Sequence, residues 1–388
     1  VPSKIFDAKR DFGAKGDHKA DDTEAIQKTI DAARAHGKGA MAYLPKGSYA
    51  VKSTLKVSGA DYIFGGSGRG SSLNYVGPAG GVTVEVTDPE RLLIENMGIG
   101  NHDQPQGENV ADILQKPSKK PSSITYDRIR VYGMYQYKPL VRGYRAENLG
   151  ANDRVYFKEF NGNVHLTDSA DATIYLGTTY EGSVVVDGTS TERGGFIGGG
   201  VRLATCSDPG LWVKDNHSLV YSDFYTESSR QFIRLEGNAE LPAGRVVLQG
   251  AKFEINPEEM AKRVAIEVAN YKGDLILGTY QMYPGNPEHK FVHTGEAAFG
   301  LTLWGSCFYN CKPVLTLGAN AVVHALGNNR IVLDAKDANT ADPKEKVPGI
   351  SDNDDAAAAT AKVVLALDDL RRLGQVELEL AFGRTAGK

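Results

Sequence analysis

The sequence predicts an all-β chain wound as a solenoid, and three observations support this fold class. Glycine makes up 44 of the 388 residues, about 11% against a usual share of roughly 7%. Short runs of Val, Ile and Leu recur with turns and aromatic residues between them, at a period of 27 to 28 residues. One amphipathic helix is predicted near the start, where it can cover the open end of stacked strands.

The cap at the start of the chain covers about the first 60 residues. Residues 11–33, DFGAKGDHKADDTEAIQKTIDAA, begin with a turn and continue into a helix. Asp21 stands three residues before Glu24, which is a capping-box pattern. Ile26 and Ile30 recur at helical spacing and give the helix an apolar face. A buried strand, MAYLPKGSYAV, follows the helix. We therefore expect the helix to close one end of the solenoid.

The middle of the chain repeats a unit of strand, Gly or Ser, and an aromatic residue commonly followed by Glu. Glu227, Glu254, Gln281 and Tyr309 stand at equivalent positions, separated by 27, 27 and 28 residues. A β-propeller blade needs four strands and about 40 to 50 residues, and a sandwich would not produce a near-constant spacing. The period therefore predicts stacked coils joined into long parallel sheets over residues 1–333.

Three segments depart from the repeat. Residues 101–123 are polar and contain proline, which predicts a long excursion from the coils. Residues 334–362 have the composition of a linker. In residues 363–388, VVLALDDLRRLG predicts a helix and QVELELAF a strand. This small tail either packs back on the solenoid or begins a second domain that is truncated.

Composition restricts the partners and the compartment. The 44 Lys and Arg residues nearly balance the 48 Asp and Glu residues, for a formal charge of −4 and no basic run, so nucleic acid is not an expected partner. No apolar stretch reaches about 18 residues, so no membrane span is predicted. The three cysteines are predicted to be buried free thiols. The first residue is Val, which suggests that a signal peptide or a tag was removed, so we expect a secreted, periplasmic or cell-surface protein.

The N-terminal residues resemble a known family. DFGAKGDHKADDTEAIQKTIDAA followed by YLPKGSYAV is similar to the N-terminal cap of the pectate-lyase-like right-handed parallel β-helix superfamily, over about residues 4–60. The resemblance is to the cap of polygalacturonase-related and pectate lyase 3-type proteins, which alginate C5-epimerases and phage tailspikes share. It implies a right-handed parallel β-helix that faces carbohydrate. The polygalacturonase Gly-His-Gly is absent from the sequence, and FNGNVHLTD is a faint echo of another of their motifs, so no catalytic residue is carried over.

Candidate site residues follow from the stacking of the coils. Equivalent residues of adjacent coils lie about 4.8 Å apart, and glycosidases hold two carboxyl groups about 5 to 5.5 Å or 6.5 to 9.5 Å apart. A close pair raises the pKa of one member, which then serves as the general acid. The candidate catalytic carboxylates are Glu181, Asp223, Glu227 and Glu254. The candidate substrate-binding residues are Tyr180, Tyr225, Arg202, Lys214, Lys252 and His217, although regularly repeated aromatic residues also suit a core.

The favoured function is a secreted glycoside hydrolase that cleaves a polysaccharide with a carboxylate pair. The first alternative is a polysaccharide lyase or uronan epimerase, which needs a Lys, His or Tyr base near an Arg or a metal. Calcium is a cofactor candidate only in that case, since Asp208, Asp215 and Asp223 form a loose set; otherwise no metal or cofactor is expected. The second alternative is a non-catalytic glycan-binding module, trimeric if it is spike-like. We expect His165 to be a surface residue.

Overall fold

The computed structural model describes fifteen segments of the chain. They are residues 1–100, 109–131, 143–169, 172–180, 182–189, 195–199, 202–204, 209–222, 224–227, 231–254, 264–282, 288–309, 312–326, 329–332 and 378–380. The chain divides into two compact units, Val1–Ser207 and Asp208–Lys388.

The first unit holds one α-helix, a short 3₁₀ helix (Gly68–Gly70) and eighteen strands within its described residues. The elements are β1 (Ile5–Asp7), β2 (Asp17–Asp21), α1 (Thr23–His36), β3 (Ala40–Leu44), β4 (Gly47–Val51), β5 (Leu55–Ala60), β6 (Tyr62–Gly66), β7 (Ser71–Tyr75), β8 (Gly81–Glu90), β9 (Leu92–Ile99), β10 (Asn109–Gln115), β11 (Ile124–Val131), β12 (Tyr144–Glu147), β13 (Arg154–Asn161), β14 (Val164–Thr167), β15 (Thr173–Tyr180), β16 (Val184–Asp187), β17 (Gly195–Gly199) and β18 (Arg202–Ala204).

Two parallel sheets build the first unit. The first sheet runs β1-β3-β6-β9-β11-β13-β15, with β2, β4 and β7 alongside. The second sheet runs β5-β8-β10-β12-β14-β16. The chain alternates between the two sheets, so each coil adds one strand to each and pairs with the coil before it. This is the predicted parallel β-helix.

Helix α1 covers the start of the stack, as predicted, but it does not form the predicted capping box. Its N-cap residue is Asp22, not Asp21, and no side chain caps the first turn. The Asp22 carboxylate instead accepts hydrogen bonds from the backbone N–H groups of Lys15 (2.6 Å) and Gly16 (2.9 Å). The competing turn thus takes the carboxylate that would cap the helix. The apolar face of α1 is buried and packs on β1, β3 and β5.

An aromatic cluster fills the core of the first unit. The Phe157 ring stacks on Tyr126 at 5.3 Å between centroids and meets Tyr144 edge-on at 4.8 Å. Both phenols donate to the Oε1 atom of Gln115, at 3.1 and 2.8 Å. Burial raises the pKa of both tyrosines well above the ordinary value, so they remain protonated donors.

The second unit is also built from parallel strands. They are β19 (Leu211–Val213), β20 (Ser218–Ser222), β21 (Tyr225–Glu227), β22 (Ile233–Glu236), β23 (Gly244–Glu254), β24 (Ile266–Ala269), β25 (Gly273–Met282), β26 (Glu288–Thr294), β27 (Phe299–Trp304), β28 (Cys307–Tyr309), β29 (Lys312–Thr316), β30 (Ala321–Leu326), β31 (Arg330–Val332) and β32 (Leu378–Leu380). One sheet runs β19-β22-β24-β26-β29 and the other β20-β23-β25-β27-β30-β32, with β21, β28 and β31 alongside.

Buried phenylalanines form the core of the second unit. Phe253 stacks on Phe232 at 5.0 Å between ring centroids and meets Phe224 and Phe291 edge-on at 6.3 and 6.4 Å. All four side chains are fully buried. For Phe253, the core alternative of the sequence prediction therefore holds.

The predicted departures from the repeat have different outcomes. The excursion expected over residues 101–123 is wrong for its middle part, because β10 joins the second sheet and buries Ala111 and Ile113. The linker 334–362 lies outside the described residues, as does the predicted tail helix. Within the tail, β32 pairs in parallel with β30. In the described part of the chain, no helix is long and apolar enough to cross a membrane.

Candidate functional site

The predicted site residues are described to different extents. Glu181 and Asp223 lie outside the described residues. For four others the structure describes the strand but not the side chain: Glu227 in β21, Glu254 in β23, Tyr180 in β15 and Arg202 in β18. The described side chains are those of Tyr225, Lys252, Lys214 and His217.

Strands β21 and β23 bring four of the predicted residues together. Tyr225 pairs with Lys252 and Glu227 pairs with Glu254 across the two strands. The Phe253 side chain between them is fully buried, whereas Tyr225 and Lys252 are partly exposed. The Lys252 Nζ atom lies 5.1 Å from the centroid of the Tyr225 ring. We call positions 225, 227, 252 and 254 the β21–β23 patch.

The β21–β23 patch combines groups suited to two chemistries. Neighbouring strands lie about 4.8 Å apart, so Glu227 and Glu254 occupy positions from which a carboxylate pair could act on a glycosidic bond. Tyr225 and Lys252 supply a phenol and an ammonium group, which suit proton transfer beside a carboxylated sugar. The 27-residue spacing of the sequence thus corresponds to one coil at this point.

The predicted column does not continue beyond Glu254 as expected. Glu254 pairs with Met282, and Gln281 pairs with Phe253 instead. The cause is a register shift between Leu248 and Ala251, where β23 has one residue more than β25. Tyr225 and Phe253 likewise occupy different columns, so the aromatic residues of the repeat do not form one stack.

His217 lies in the interior, which corrects the expectation that it contacts substrate. Its side chain is fully buried, as are Leu219 and Tyr221, so alternate residues entering β20 point inward. The Tyr271 hydroxyl donates to the backbone carbonyl of His217 at 2.9 Å. No polymer on the surface would reach this imidazole.

Lys214 belongs to a mixed cluster around Trp212. Its Nζ atom lies 5.2 Å from the indole centroid, and the Arg234 guanidinium lies 5.4 Å from it. The indole N–H donates to Glu236 at 3.1 Å, and Arg234 pairs with Glu236 at 3.2 Å and with Glu267 at 3.9 Å. Carboxylates therefore neutralise much of the positive charge around Lys214.

His165 forms a polar cluster that sequence reasoning missed. Its Nε2 atom lies 2.8 Å from Asp187 Oδ2, and the Thr167 hydroxyl donates to Asp187 Oδ1 at 2.7 Å. Only 7% of the His165 side-chain surface is exposed, so the expected surface position is wrong. The signal was present in NVHLTD followed one coil later by VVVDG, but this coil is shorter than the 27-residue period. The Nδ1 atom has no hydrogen-bond partner among the described residues.

Metal ligands are not assembled in the described part of the chain. No group of three or more His, Cys, Asp or Glu side chains there could hold a metal ion. Asp208 and Asp223, two members of the loose set considered for calcium, lie outside the described residues.

Comparison with known proteins gives similarity to carbohydrate-related β-helix proteins. Residues 6–106 match the family described as rhamnogalacturonase A/epimerase, pectate lyase-like. The chain is 56% identical over 52 residues to alginate lyase 7 of Azotobacter vinelandii, covering 13% of this chain and 5% of that protein. It is 56% identical over 50 residues to mannuronan C5-epimerase AlgE1 of the same organism, covering 13% of this chain and 3% of that protein. The chain thus spans a small part of these relatives' length.

Similar solved structures cover most of the chain at low identity. The A-module of Azotobacter vinelandii mannuronan C-5 epimerase AlgE6 is 13% identical, covering 84% of this chain and 99% of that one, with a TM-score of 0.37. The Streptococcus pneumoniae surface adhesin PfbA is 11% identical, covering 85% and 92%, with a TM-score of 0.43. By its stacked parallel coils and the family match over residues 6–106, the chain belongs to the pectate-lyase-like right-handed parallel β-helix superfamily.

Proposed function

We propose that this chain acts outside the cell on an acidic polysaccharide, as a lyase or a C5-epimerase, through the β21–β23 patch. The observation that supports this proposal is the register that sets Tyr225 beside Lys252, with the ammonium group 5.1 Å from the ring centroid. The names of the matched relatives refer to alginate and to mannuronan, a polymer of uronic acid. Such polymers carry a carboxylate on each uronic acid residue.

The proposed chemistry begins with removal of the proton at C5 of a uronate. Lys252 lies beside the substrate carboxylate and stabilises the negative charge that develops there. Tyr225 takes the C5 proton. In a lyase the C4–O4 bond then breaks, a C4=C5 double bond forms, and the leaving oxygen takes a proton. In an epimerase a proton returns to C5 from the opposite face, and no bond of the polymer is cut.

The first prediction concerns this proton transfer. With a panel of polyuronates and neutral glucans, we expect either ultraviolet absorbance of unsaturated chain ends or incorporation of deuterium at C5 from heavy water. Tyr225→Phe and Lys252→Ala should each lower the rate by about 100-fold or more. Lys120→Ala, which removes an exposed lysine of the first unit, is the control and should have no effect. Neither product nor deuterium on any polyuronate would contradict the proposal.

A glycoside hydrolase is the second candidate, and the pairing of Glu227 with Glu254 favours it. In that case reducing ends should appear without ultraviolet absorbance. Glu227→Gln and Glu254→Gln should each abolish the release of sugar, while Tyr225→Phe should retain most of it. The opposite pattern, with both glutamines active, would exclude this carboxylate pair from the reaction.

A further inference from the structure

An aromatic row runs across the outer face of the first unit's first sheet. Thr125, Tyr156 and Tyr175 stand in register on β11, β13 and β15. The neighbours of Tyr156 along its strand, Val155 and Phe157, are fully buried, so Tyr156 points outward. Tyr175 is 45% exposed and Tyr156 is partly exposed. Two consecutive coils therefore present tyrosine rings to solvent, and the core does not require them there.

Two cations flank this row. Arg154 and Lys158 stand two residues on either side of Tyr156 and are exposed. Their side chains make no ion pair or hydrogen bond with another residue of the described segments. Arg128 on the neighbouring strand, in contrast, contacts two carboxylates at 3.4 Å each. The exposed Glu159 lowers the charge of the β13 outer positions to +1, from two cations and one anion.

We propose that this surface, formed by Tyr156, Tyr175, Arg154 and Lys158, binds a strand of an anionic polysaccharide. The apolar face of a pyranose ring packs against an exposed aromatic ring, and the free guanidinium and ammonium groups complement sugar carboxylates. The coil spacing of about 4.8 Å lets consecutive tyrosines contact consecutive sugars of an extended strand. The choice of uronate as ligand rests on the proposed function. The residues themselves are separate from the β21–β23 patch.

The test measures binding of the whole chain to polymannuronate and to a neutral glucan at low salt, by affinity electrophoresis. Tyr156→Ala combined with Tyr175→Ala should weaken binding of both polymers about tenfold or more. Arg154→Gln combined with Lys158→Gln should weaken only the binding of polymannuronate and reduce its dependence on salt. Trp304→Ala, at a tryptophan that is 58% exposed in the second unit, and Arg245→Gln are matched controls that should change nothing.

The outcomes separate this surface from the proposed reaction. Unchanged polymannuronate affinity in both double variants, with circular dichroism like that of the unmodified chain, would overturn the surface whatever the activity. Equal affinity of the unmodified chain for the neutral glucan would overturn the anionic preference. If the double variants lose binding while no polyuronate is converted by the unmodified chain, the surface stands and the proposed reaction fails.

Discussion

At the scale of single residues, Gly273 shows how closely consecutive coils approach each other. Its φ of +141° is unfavourable for residues with a side chain, and a Cβ atom there would collide with the carbonyl oxygen of Gly244 in the preceding coil. Backbone atoms on both sides cannot move aside as a flexible side chain could.

We therefore expect Gly273→Ala to lower the free energy of unfolding by about 1 to 3 kcal/mol. Gly295→Ala is the matched control, because its Cβ would meet its nearest atoms at 3.5 Å, an ordinary contact. Thermal or denaturant unfolding measures both variants. Equal midpoints for the two would mean that the coils shift to admit a methyl group at position 273.

At the scale of elements, the existence of each element was easier to predict than its phase. The cap helix follows from the apolar spacing of Ile26 and Ile30, and its burial confirms it. Its first turn could not be predicted, since two adjacent aspartates suit the N-cap and a tertiary contact decides between them. The 27-residue spacing correctly paired Glu227 with Glu254. It failed one coil later, because an extra residue within β23 does not alter the composition of the repeat.

The His165 cluster illustrates a second limit of the sequence. An imidazole and a carboxylate 22 residues apart, His165 and Asp187, meet only if the coil has that length. The period taken from the second unit predicts a different partner. The acidic column therefore was found where the repeat is regular, while the polar cluster of the first unit required coordinates.

At the scale of the whole molecule, buried tyrosines link stability to pH. Burial raises the pKa of Tyr126, Tyr144 and Tyr221 above the ordinary value of 10.0. Unfolding exposes these phenols, and above pH 10 they then lose protons that the folded state retains. The free energy of unfolding should therefore fall as the pH rises above about 10.

Denaturant titrations between pH 8 and 11, scaled as about one pKa range around tyrosine, would measure this fall. Tyrosinate absorbance should show that some of the 18 tyrosines ionise only when the chain unfolds. Complete ionisation in one reversible step near the ordinary pKa, with the circular dichroism intact, would contradict the assigned burial.

The extra residue in β23 has a consequence for how such a chain can change over time. Because the bulge absorbs a one-residue difference inside a single strand, an insertion there rotates the frame of every later rung without unpairing the ladder. A lineage can thereby exchange which side chains are stacked downstream while the upstream surface keeps its neighbours. Single-residue insertions at bulges are thus a route by which one scaffold acquires new ligand preferences.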